Sequence, residues 1–65
     1  PLIALTMLHD AGHDVSEVAQ AAMAARAQIL AQIEAGDHRG ETSALAADIL
    51  RAEIAALGRL SDATR

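Results

Sequence analysis

Residues 15–35 read VSEVAQAAMAARAQILAQIEA, with no glycine or proline among them. Whether they form one helix or two decides the fold. Alanine, glutamine, methionine and leucine are good helix formers, and Gly36 is the next stop signal. At the other end Asp14 reads as the N-cap, with Glu17 three residues on, close to a capping box. One uninterrupted helix over 15–35 is the expectation.

Its faces follow from a step of about 100° per residue with Val15 at zero. Ile33 coincides with Val15. Val18 and Ile29 lie roughly 40–60° to one side, and Met23 and Leu30 roughly 60–80° to the other. Glu17, Gln20, Gln28 and Gln32 lie on or flank the opposite side. Arg26 falls at about 20°, near the centre of the apolar sector, and is expected to face inward. Ala19, Ala22 and Ala25 around it allow helices to approach closely, a packing seam rather than a ligand cavity.

Upstream, Pro1 suits the first turn of a helix. Leu2, Ile3, Leu5, Met7 and Leu8 are apolar almost all round, so this helix must be covered on more than one side. Ala11-Gly12 ends it, over about 2–11, with glycine fitted to a left-handed C-cap. Downstream, Gly36-Asp37-His38-Arg39-Gly40 is turn chemistry. Thr42 or Ser43 caps a third helix over about 42–58, with Gly58 and Ser61 marking a frayed end.

On that third helix, with Leu45 at zero, Ile49, Leu60, Leu57, Leu50 and Ile54 spread from about 40° to about 180°. Asp48, Arg51 and Arg59 occupy the far side, and Glu53 falls at about 80°, within the apolar sector. A turn centred between His38 and Arg39 makes facing residue numbers add to about 77. Glu53 then lies roughly 3 Å along the axis from the level of Arg26. An Arg26–Glu53 ion pair is expected, within one chain or across a dimer, where it would set helix register. The alternative makes Arg26 a receptor for a carboxylate or phosphate, with Glu53 as its resting partner.

Composition narrows the class. Sixty-five residues make one domain at most, and no cysteine supplies a disulfide or thiolate staple. The hydrophobic fraction of 52% is largely alanine, and no Phe, Tyr or Trp adds buried area. A lone hairpin of such helices is marginal, which favours self-association or docking on a larger protein. The formal charge is −4, with five arginines and nine acids. An acidic chain without aromatics lacks both a phosphate-tracking stripe and base-stacking platforms, which argues against nucleic-acid partners. PLIALTML is too short to span a bilayer and lacks a basic flank, so a cytoplasmic protein with no membrane partner is expected.

Residues 7–33, MLHDAGHDVSEVAQAAMAARAQILAQI, resemble the helix–turn–helix segments of DNA-binding proteins. Gly12, Val15, Glu17, Val18, Ala19, Arg26 and Ile29 occupy matching places. The resemblance implies a transcription-regulatory fragment with Arg26 near the start of a recognition helix, facing DNA. It requires a turn at Met23-Ala24-Ala25, where the family places a glycine.

Other constellations are weaker. His9 and His13 stand four apart, the spacing of two imidazoles sharing one metal on a helix, but Gly12 falls between them and no third ligand is near. Gly36 to Ser43 places a basic pair before a helix N-terminus without P-loop spacing, and reads as an ordinary turn. A catalytic N-terminal proline belongs to tautomerases that begin with a strand, whereas residues 2–12 read as helix. No reaction centre or cofactor site can be assembled. The sequence therefore predicts an all-α, single-domain, non-enzymatic interaction or regulatory module over 1–65. It comprises a short apolar helix and a long antiparallel helical hairpin, completed as a bundle by oligomerisation. Leu2, Leu5, Met7 and Leu8 form the expected anchor patch, and Arg26 and Glu53 set the register.

Overall fold

The computed structural model describes residues 2–36 and 40–63. Three helices follow in order: α1 (Leu2–Asp10), α2 (Ser16–Ala35) and α3 (Glu41–Ala63). Helix α2 is unbroken through Met23-Ala24-Ala25, so the turn that a helix–turn–helix requires is absent there. Three strong helix formers in a row have no reason to leave the helix. Helices α2 and α3 form the antiparallel hairpin, and α1 lies along the C-terminal part of α3. The body measures 42 × 16 × 14 Å.

Gly12 ends α1 as expected, with φ +93°. The Gly12 N–H donates to His9 O at 2.9 Å and the His13 N–H to Leu8 O at 3.0 Å, the paired bonds of a Schellman motif. The start of α2 is shifted by one residue from the expected cap. Val15 stands at the N-cap, its carbonyl accepting from the Ala19 N–H at 2.8 Å. Asp14 Oδ1 accepts from the Ser16 N–H at 2.9 Å and the Ser16 hydroxyl at 2.7 Å. Asp14 thus holds the first turn from just outside it, because a side chain two residues back reaches that N–H in an Asx turn. Helix α3 begins earlier than expected. Gly40, rather than Thr42 or Ser43, supplies the first carbonyl, accepting from the Ala44 N–H at 3.1 Å. Pro1 and the turn residues 37–39 lie outside the described residues.

Gly58 does not end α3, which continues to Ala63 with Ser61 fully enclosed. It instead faces α2: a Cβ built on Gly58 would lie 3.6 Å from Met23 Cε, an ordinary van der Waals contact. Gln20 Nε2 donates to Ser61 Oγ at 2.8 Å nearby, tying the last turns of α3 to the first turns of α2. Tertiary contact keeps the predicted frayed end helical.

The core is thin. Among the described residues, only Val15, Ala19, Ala47 and Leu57 are buried apolar residues. Facing residue numbers add to about 80 rather than 77, as in Arg26–Glu53, Met23–Gly58 and Gln20–Ser61. Side chains lean toward the N-terminus of their own helix, so in an antiparallel pair tips meet from positions further along each chain.

Candidate functional site

Two faces of the hairpin differ sharply in chemistry. The inner stripe is centred near Ala19 and Met23 on α2 and near Leu50 and Leu57 on α3. In antiparallel helices of one hand, flanks that follow the inner stripe on each helix share a side, and flanks that precede it share the other. The first side carries Glu34, Arg51 and Asp48. Arg51 donates to Glu34 Oε2 and to Asp48 Oδ1, each at 3.2 Å, in an exposed ion network.

The second side is apolar. It takes Val18 and Ile29 from α2, and Leu45 and Ile49 from α3, all between 49% and 59% exposed. These four were expected inside. They lie at the edge of each stripe, and helices held close by Ala19 and Ala47 bury only its centre. Ala25, expected on the inner seam, is exposed on the same flank.

Helix α1 occupies one end of this side. Leu2 and Thr6 share a groove with Ala56, Arg59, Leu60 and Ala63 of α3. Leu2, Leu5 and His9 are half-buried, whereas Ile3, Met7 and Leu8 are exposed. The expected anchor patch therefore divides. Leu2 and Leu5 anchor α1 to its own hairpin, while Met7 and Leu8, joined by Ile3, point away from it. Nine residues of α1 against 23 of α3 leave Leu45 and Ile49 as the uncovered continuation of the same stripe.

The ion pair sits at the border between covered and uncovered parts. Arg26 Nε donates to Glu53 Oε1 at 3.2 Å within the chain, the side chains being 26% and 32% exposed. Arg26 Nη1 also donates to Ala22 O at 3.3 Å. Inward phase is met only in part. The alanine seam brings the helices together too closely for a guanidinium to enter, so its stem packs and its head reaches the rim.

The histidines do not converge into a site. His9 belongs to α1, and its Nδ1 is buried without a hydrogen-bond partner; His13 lies past the Schellman turn. Both border an open depression of about 240 Å³ with Gly12, Asp14 and Ala63. Among the described residues no three His, Cys, Asp or Glu side chains are placed to hold a metal. No helix among them is long and apolar enough to cross a membrane.

Sequence periodicity located the helices and the ion pair but assigned the flanking aliphatics to the core. The missed signal was the alanine content itself, since a narrow seam leaves outlying large residues uncovered. Comparison with protein families, characterised proteins and solved structures gave no match.

Proposed function

We propose that the chain is a non-enzymatic protein–protein interaction module that docks through the apolar side of its hairpin. The observation supporting this reading is the imbalance between core and face. Seven large aliphatic residues are exposed among the described residues, while the buried apolar set contains one leucine, one valine and two alanines. All seven fall on the hairpin's apolar side or on the outward face of the helix resting there. Contiguous apolar area of this kind marks an interaction surface. Such a module acts by occupancy, as an oligomerisation unit, adaptor or inhibitor, and needs a shaped face and a register rather than a reaction centre.

The test is Ile29→Glu combined with Ile49→Glu. Both positions are exposed, so helicity by circular dichroism is expected to stay at the parent level. Elution of tagged parent chain in a complex, alone or in host extract, is expected to be lost in the variant. Parent and variant both running as free chain under all conditions would overturn the reading.

A further inference from the structure

We infer that α1 is a strap, opening and closing over its own hairpin as a unit separate from it. What the strap controls rests on the proposed docking role; the strap itself does not.

Bonding divides the chain first. Among the described residues, no hydrogen bond or ion pair joins Leu2–Asp10 to α2 or α3. The side-chain hydrogen bond that α1 does make stays inside it, Thr6 Oγ1 donating to Leu2 O at 2.8 Å. The two helices of the hairpin are instead tied by Gln20–Ser61, Arg26–Glu53 and Glu34–Arg51.

Packing divides it at the same place. Helix α1 contains no buried residue. Leu2, Leu5 and His9 form one half-buried stripe, and every other residue of α1 is exposed already. Opening therefore uncovers three side chains of α1, and one of the three gains by it. His9 Nδ1 is enclosed without a hydrogen-bond partner when α1 is docked, and meets water when it is not. A groove of about 360 Å³, with Leu2 and Thr6 on one wall and Ala56, Arg59 and Leu60 on the other, marks where α1 and α3 do not close on each other.

The pivot is built in. Val15 is 2% exposed and fixes the start of α2, whereas residues 11–14 between the two helices are all exposed. Gly12, in the middle of them, has open space where a Cβ would stand. Nine residues are fewer than the roughly 12–15 that an isolated helix needs in water, so undocking and melting of α1 occur together. Segments held this lightly open locally without global unfolding. Open, the strap uncovers Ala56 and Leu60 beside the exposed Arg59, and the apolar side runs on from Leu45 and Ile49 toward the end of α3. Closed, it withholds that end from a partner.

Amide exchange of the full chain, followed residue by residue by NMR, tests the strap without any partner. The slowest amides of α1 are expected to exchange at least about tenfold faster than the slowest of α2 and α3. One common rate for all three helices would overturn the strap. His9→Leu puts carbon in place of the unpartnered nitrogen and is expected to slow exchange in α1 by about threefold or more, with the hairpin unchanged. Exchange in α1 that stays the same or quickens would overturn the part given to His9. Leu5→Asp is expected to quicken α1 while α2 and α3 keep their protection; loss of protection throughout would make α1 part of the hairpin's own core and overturn the strap. Binding of 1-anilinonaphthalene-8-sulfonate then reads the control. Stronger binding by Leu5→Asp than by the parent supports it, and equal binding would overturn it. A parent that always runs as free chain while its α1 still exchanges fast would sink the docking role and leave the strap standing.

Discussion

Removing one half of the Arg26–Glu53 pair is the sharpest test of how this hairpin is held. The geometry places the cost between two regimes. Fully exposed ion pairs contribute about 0.2–1 kcal/mol, whereas breaking a buried pair costs about 3–5 kcal/mol through the stranded charge. Here the side chains are 26% and 32% exposed and share one contact at 3.2 Å through Nε, not a bidentate fork. In Glu53→Leu the guanidinium keeps the Ala22 carbonyl at 3.3 Å and can turn its head to water. The stranded-charge penalty is therefore largely relieved, and about 1.5 kcal/mol is expected for Glu53→Leu or Arg26→Met. For a domain of this size that lowers Tm by about 6–12 °C. The double variant replaces the pair by apolar contact and should return to within about 0.5 kcal/mol of the parent, giving a coupling of about 2.5 kcal/mol. Thermal melts at one fixed protein concentration measure all four corners of the cycle. Single variants that melt like the parent, or losses that simply add in the double, would refute the claim that the pair couples the helices.

Gly58→Ala should stabilise the chain by about 0.5–1 kcal/mol. The added Cβ meets Met23 Cε at an ordinary 3.6 Å, and alanine is the better residue inside a helix. Chemical denaturation will show a higher midpoint. Gly12→Ala should cost about 1–2 kcal/mol, although nothing lies within 4 Å of the new Cβ, because φ +93° is strained for any L side chain. A Gly12→Asn variant recovering part of that loss would tie it to the backbone. Asp14→Ala removes the acceptor for the Ser16 N–H and hydroxyl and should cost about 1 kcal/mol, read as a lower Tm and faster amide exchange in the first turn of α2.

Much of the architecture is readable from local chemistry. Helix formers without interruption make α2 continuous, Gly12 closes α1, and the phases of Arg26 and Glu53 bring opposite charges to one level. Each depends on backbone geometry within a few residues, or on the angular step of a single helix. The C-terminal end of α3 depends on more than local chemistry. Gly58 and Ser61 are stop signals in isolation, but that segment packs against Met23 and Gln20 of α2 and against α1, and it stays helical and enclosed.

Which apolar residues are inside belongs to packing alone. Periodicity gives the direction of a side chain, but burial depends on how closely the neighbouring helix stands and how far it extends. Alanines let α2 and α3 close together, so only a narrow stripe is enclosed and Val18, Ile29, Leu45 and Ile49 are left at its margin. The shortness of α1 then leaves half of that margin open. One helix's pattern carries neither distance nor overlap, and those two quantities make the face.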